Sequence, residues 1–268
     1  MSLRYGIFAL LGMTALLGGL TIPVQAQSLI RAATTLANRS DPSAADNLFN
    51  QGLELTQQVD YLGSILKYTQ ALEADPTYGK AYLNRGIAYH ELGDIGQAIA
   101  DFQEAAELDP GDAEVYYNLG EAHTHTDDYT DALANMNQAI ELYPDHVEAH
   151  NRRGVIYAMQ GNLDQAVADF DQAIEIDPNN ADAYYNRAKA RTEQGDTEGA
   201  IDDYTEAISL NRDLAGAYGS RGLLQFQTGN KYSALSDLRR AAELFETQGD
   251  QASYQQTQMY IQQVQQSW

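Results

Sequence analysis

Proline stands at Pro42, Pro76, Pro110, Pro144 and Pro178, and every interval is 34 residues. A backbone-restricting residue returning at a fixed step marks one structural unit copied head to tail. A period of roughly 20–50 residues belongs to stacked supersecondary units rather than to a closed globular core. A single unit cannot bury its own apolar side, so the stack is the smallest thing that can fold.

Frames of 34 residues on this period fall at 45–78, 79–112, 113–146, 147–180, 181–214 and 215–248. Position eight holds Gly52, Gly86, Gly120, Gly154, Ala188 and Gly222, and position 27 holds Ala71, Ala105, Ala139, Ala173, Ala207 and Ala241. Position 20 reads Ser64, Ala98, Ala132, Ala166, Ala200 and Ala234; position 24 reads Tyr68, Phe102, Met136, Phe170, Tyr204 and Leu238. Position four is large as well: Leu48, Tyr82, Tyr116, His150, Tyr184 and Tyr218. Two antiparallel helices approach closely only where a small side chain on one receives a large one from the other. The small positions are the holes, and positions four and 24 are the knobs.

This pattern resembles the tetratricopeptide repeat (TPR) family over residues 45–248, in an exported bacterial form. The resemblance implies an all-α chain: a right-handed α-solenoid of six helix–turn–helix repeats with a C-terminal capping helix. Between paired helices, Gly93-Asp94, Gly161-Asn162, Gly195-Asp196 and Gly229-Asn230 offer the positive φ and local polar bond that a tight turn needs, with Val59-Asp60 and Asp127-Asp128 as weaker versions. After each second helix, Asp-Pro or Tyr-Pro ends the helix by removing a donor and restricting the residue before it. Arg212 and Glu246 replace proline in the last two frames, which leaves those boundaries less defined.

The ends differ from the middle. Residues 1–26 carry Arg4, an uncharged apolar run through Leu20, and Val24-Gln25-Ala26 before Gln27, the parts of a secretory signal peptide. The run is shorter than the ~20 apolar residues that span a bilayer comfortably. Residues 27–44 read as a leader or N-cap, and 249–268 as a capping helix with Tyr254, Ile261, Val264 and Trp268 at helical spacing. There is no cysteine, so neither a disulfide framework nor a lipid-modified cysteine is available. The expected location is a periplasm, a comparable lumen or the exterior.

Sixteen basic residues against 38 acidic give a net charge of −22, a field that repels nucleic-acid phosphates and anionic membranes. The resemblance implies that the first helix of each pair lines a concave groove through positions two, five, six, nine, twelve and thirteen. At position six stand Asn50, Asn84, Asn118, Arg152 and Asn186, and at position five Tyr117, Asn151 and Tyr185. Side-chain amides can hold the backbone of an extended peptide, or can support their own helical pair; both readings stand. One TPR subclass grips a terminal carboxylate with paired cations. Here the corresponding positions read Phe49/Leu53, Leu83/Ile87 and Tyr117/Glu121, so a basic or neutral protein or peptide partner fits better.

His146 and His150 lie at i, i+4, a spacing that can chelate a metal. His150, however, occupies the slot that aromatics fill elsewhere, and core substitution is the better account; no metal or cofactor is assigned. No thiol nucleophile, nucleophile elbow or phosphate-cradling loop is present, so no catalytic residue is assigned. The expected function is an exported non-enzymatic scaffold or adaptor that binds a protein segment and aids assembly of an envelope or membrane complex. The alternatives are a metal-delivery protein using the histidines and acids, and an auxiliary domain of a cell-wall enzyme complex. Mass spectrometry of the exported protein is expected to find Gln27 as its first residue; intact Met1 in a membrane fraction would favour an N-terminal anchor instead.

Overall fold

A computed structural model describes residues 42–267, which form thirteen helices; no strand occurs among them. Residues 1–41, which include the segment read from the sequence as a signal peptide, and Trp268 lie outside the described residues. The helices pair as α1 (Pro42–Gln57) with α2 (Tyr61–Ala74), α3 (Gly79–Glu91) with α4 (Ile95–Leu108), and α5 (Ala113–His125) with α6 (Tyr129–Leu142). Then come α7 (Val147–Met159) with α8 (Leu163–Ile176), α9 (Ala181–Gln194) with α10 (Thr197–Leu210), and α11 (Ala215–Gln227) with α12 (Lys231–Thr247). A thirteenth helix, α13 (Gln251–Gln266), packs on α12. The chain is an α-solenoid of six helical pairs.

From the second frame onward every first helix starts at the first residue of its frame. α1 starts earlier, at Pro42, so residues 42–44 belong to a helix rather than to a leader. Proline suits a first helical position because the amide it lacks has no helical partner there.

The interlock inside each pair is visible atom by atom. A methyl group placed on Gly52 would stand 2.4 Å from the Tyr68 ring; on Gly86, 2.6 Å from Phe102; on Gly154, 2.7 Å from Phe170. Those rings are buried, as are Met136 opposite Gly120 and Leu238 opposite Gly222. Ala188 carries a methyl, and its pair still closes on the buried Tyr204. The alanines at 20 and 27 are buried in the frames named above, with Ser64 in place of alanine in the first. The core then crosses each joint: Phe102 and Ala105 cluster with Val115, Leu119 and Ala122 of the next repeat.

The turns follow one rule whatever residue fills them. Gly93, Gly161, Gly195 and Gly229 have φ between 77° and 87°, and the non-glycine residues at the same place, Val59 and Asp127, also take positive φ, 62° and 57°. In five of the six turns the next residue caps the following helix: Asp60 accepts from Gly63 N–H, Asp94 from Gln97, Asp128 from Asp131, Asp196 from Gly199 and Asn230 from Ser233, while Asn162 makes no such bond. The two proline-free frames end differently. Asn211 accepts the Asp213 N–H at 3.0 Å, the same local bond that Asp75 makes with Thr77, so α10 stops on schedule. The sixth frame has Phe245-Glu246 there, and α12 runs on for 17 residues until Gly249 turns it at φ 79°.

Four arginines at position seven add a second fastening. Each forks onto an aspartate sixteen residues later: Arg85 on Asp101, Arg153 on Asp169, Arg187 on Asp203 and Arg221 on Asp237, at 2.6–2.9 Å. The remaining terminal nitrogen reaches sixteen residues back into the preceding repeat, to Thr69, Asn137, Asp171 and Thr205. Three of these guanidiniums also lie 5.4–5.7 Å from the ring at position four, Tyr82, Tyr184 or Tyr218. The aspartates are buried, and bidentate charged bonds of this kind hold direction as well as strength. The spacing of Arg and Asp was readable in four frames, yet only the structure shows it as one device.

Two glycine substitutions separate packing from propensity. Gly154→Ala is expected to destabilise the protein by about 1–3 kcal/mol, because its methyl meets both the Phe170 ring and the Ala166 carbonyl oxygen at 3.1 Å. Gly96→Ala meets nothing within 4 Å and is expected to stabilise by a few tenths to about 1 kcal/mol. Paired denaturant titrations check this; equal shifts for both would contradict the interlock.

Candidate peptide-binding groove

The groove residues sit on α1, α3, α5, α7, α9 and α11, whose register is fixed by the interlock described above. At its N-terminal end the Tyr78 hydroxyl donates to Asp46 Oδ1 at 2.8 Å, and the Tyr78 ring lies 5.0 Å from Phe49. Burial, then the Asp46 contact, pushes the Tyr78 hydroxyl up to about 12. Two repeats on, His146 repeats the arrangement, its ring 5.0 Å from Tyr117 and its Nε2 3.6 Å from Glu114 Oε2. Position 34 thus stacks on position five and meets the acid at position two.

His146 is buried, and its Nδ1 lies 3.2 Å from the exposed Glu148. The Glu114 carboxylate within ion-pair distance holds the imidazole above its usual value against the effect of burial, and the imidazole holds the Glu114 carboxyl below its own. Between α5 and α7 lies a second polar group. Arg152 pairs with Glu121, a carboxyl that burial pushes up and Arg152 pulls back. The Tyr117 hydroxyl beside them is raised to about 12, by burial first and by Glu121 next. His90 on α3 meets His125 on α5 edge to face at 4.7 Å, and burial, followed by the His125 and Arg152 charges, lowers the His90 pKa.

The amides are arranged unevenly. Asn84 Nδ2 donates to the Lys80 carbonyl and Asn118 Nδ2 to the Glu114 carbonyl, each at 2.8 Å within its own helix. Asn84 has a second N–H and an oxygen beyond that bond, whereas Asn118 Nδ2 also donates to Glu114 Oε1 at 3.3 Å and keeps its oxygen. Asn186 Nδ2 donates instead to Asn151 Oδ1 at 3.1 Å, joining α9 to α7. Asn50 is exposed on α1. Tyr185 packs 5.9 Å from Tyr204, and its hydroxyl fills the space where Gly216 has no side chain.

His146 and His150 do not face a common point. His150 Nε2 lies 2.9 Å from the Pro144 carbonyl oxygen and its Nδ1 3.7 Å from Asp169, so this ring completes the arginine fork of its repeat. The His/acid group whose donor atoms fall within 4.8 Å of one another is His123 with Asp128 and Asp131, at the α5–α6 turn, where Asp128 already caps α6. The Arg152–Glu121 pairing is not read from the repeat pattern; its signal is an arginine at position six, where four of the other five frames have asparagine, next to a glutamate at position nine one frame earlier.

Family models of the repeat match in turn: a tetratricopeptide repeat model over 117–181, a TPR repeat model over 88–127 and 188–229, and a third, again tetratricopeptide, over 67–100 and 170–202. The chain belongs to the tetratricopeptide repeat family. Among solved structures this TPR chain is similar to MamA, at 27% identity and TM-score 0.56 over 62% of this chain and 96% of that one. It also resembles PilW, described as a widely conserved type IV pilus biogenesis factor (21%, TM-score 0.70, 79% and 97%). YrrB, described as a TPR protein with an unusual peptide-binding site, matches at 19% with TM-score 0.56 over 72% and 97%. Among curated protein sequences none matches. No helix among the described residues is long and apolar enough to cross a membrane.

The His146–Glu114 contact gives a pH signature. Folding favours the protonated imidazole, so its contribution is full below the unfolded-state pKa and vanishes as pH rises through the raised folded value. The Glu114 side is present above the unfolded carboxyl pKa and is lost as pH falls through its depressed folded value. His146→Gln is therefore expected to cost more stability at about pH 5.5 than at about pH 8.5. Denaturation midpoints of the two proteins at both pH values decide it, and a pH-independent difference would contradict the pairing.

Proposed function

We propose that this TPR protein is an exported, non-enzymatic scaffold that lays an extended, basic or neutral protein segment along its groove and so aids assembly of an envelope or membrane complex. The observation that carries the reading is the repeated groove unit, in which an aromatic at position 34 or five lies beside an acid at position two, in Tyr78–Phe49–Asp46 and again in His146–Tyr117–Glu114. Flat rings offer contact area with few rotors to fix, and amides beside them suit a peptide backbone of any sequence. Glu148, Asp182 and Glu193 are exposed along the same side and give it a negative field that favours lysine and arginine.

Two resemblances support the protein-binding part: YrrB is described by its peptide-binding site and PilW by its part in pilus biogenesis. The apolar N-terminal stretch with small residues before Gln27 supports export. The test is Asn84→Ala combined with Asn118→Ala, measured by calorimetry against a segment captured from envelope extract. Loss of two hydrogen bonds worth about 0.5–1.5 kcal/mol each predicts a fall in affinity of about tenfold or more. Full-strength binding by a normally folded double variant would move recognition off this face.

A further inference from the structure

The sixth repeat breaks the groove pattern in a way that the rest of the chain does not explain. Position two is charged in the first five repeats, as Asp46, Lys80, Glu114, Glu148 and Asp182, and position five holds Phe49, Leu83, Tyr117, Asn151 and Tyr185. The sixth has Gly216 and Gly219 at these places. Gly216 has a cause inside the protein, since a methyl there would stand 2.8 Å from the Tyr185 hydroxyl. Gly219 has none. It lies within α11 without positive φ, and the nearest atom to a methyl on it would be the Ala241 Cβ at 3.8 Å, an ordinary contact. Glycine weakens a helix interior relative to alanine, so this position keeps a disadvantage that no internal contact offsets.

What Gly219 does is open space. It lines a cleft of about 440 Å³ between α11 and α13, with Leu223, Phe245, Thr257 and Tyr260 among the walls. No residue lining it carries a charge, in a chain whose net charge is −22. Leu223 stands at groove position nine, so the cleft continues the same groove, whose two preceding repeats expose Glu148, Asp182 and Glu193 along with one cation over the Tyr185 ring, Lys189. An uncharged, ring-walled recess at the end of an acidic track is complementary to a segment that carries one large apolar side chain beside a run of basic ones.

We infer that the cleft at Gly219 is an anchor pocket for a single aromatic or branched aliphatic residue of a bound protein segment, with lysine or arginine flanking that residue on the side of the acidic repeats. This rests on the groove reading above and adds to it the composition and position of the anchor. Binding through one buried apolar residue with charged neighbours gives the anchor most of the affinity and the charges the orientation.

The experiment selects binders from a randomised dodecapeptide phage library on the full chain, and on Gly219→Ala and Gly219→Leu. The wild-type protein is expected to enrich peptides with one Phe, Trp, Leu or Ile beside two or more Lys or Arg. A synthetic peptide of the selected sequence is expected to lose at least tenfold in affinity when its apolar residue becomes Ala. It is also expected to bind progressively more weakly to Gly219→Ala and Gly219→Leu, while the thermal midpoint of Gly219→Ala rises. If Gly219→Leu does not fold, the alanine variant and the altered peptide still decide the matter. Selected peptides that lack an apolar anchor, or that bind all three proteins equally, overturn the pocket and leave the groove standing. Enrichment of no peptide at all overturns both.

Discussion

Everything in this chain depends on a glycine that admits a ring. At position eight the backbone of one helix has to lie against the face of a buried aromatic from its partner, and at Gly52, Gly86 and Gly154 even a methyl would overlap that ring. The close approach fixes the helical pair, the pair fixes the direction of the next turn, and the turn places the next first helix beside the last. The groove is a by-product of that succession. Its side chains are held in line by contacts on the opposite side of the same helices.

Because the interlock uses residue types that stand out in a sequence, glycine against aromatic at a fixed step, the fold was legible before any coordinate was considered. The turns were legible too, although Val59 and Asp127 show that the backbone imposes positive φ even where glycine is absent. The end of α10 shows why a missing proline was only an apparent gap: Asn211 supplies the same local bond through its side chain. The extension of α12 had no such signal, because nothing at Phe245-Glu246 says stop. In the candidate groove, the resemblance assigns these residues to one face but not what they do there. Asn84 and Asn118 each give one amide proton to their own helix, whereas Asn186 reaches across to Asn151, and that distinction depends on side-chain torsions that a repeat pattern does not encode.

The histidines teach the same lesson from the other side. Five in one stretch suggest a single purpose, yet His150 lies beside a buried arginine fork, His146 lies between two groove acids, and His90 and His125 meet edge to face across a joint. Spacing of four residues placed His146 and His150 near one another. The partner each ring finds is decided by the neighbouring helix, and the neighbours differ.

The arginine fork also gives the array a direction and an uneven seam. Each fork ties its own pair together and then grips the repeat before it, so it rivets one joint. The third repeat has Leu119 and Asn135 where Arg and Asp would stand, and Asn135 bonds to its own helix at Asp131. The seam between the second and third repeats therefore lacks this rivet; apolar packing spans it, and the His90 and His125 rings meet there edge to face. In a linear array whose units communicate only with their neighbours, this joint closes on apolar packing, with Leu119 buried beside Phe102 and Ala105 where four other repeats carry the fork. Added salt, which weakens charged contacts, leaves a joint of that kind closed.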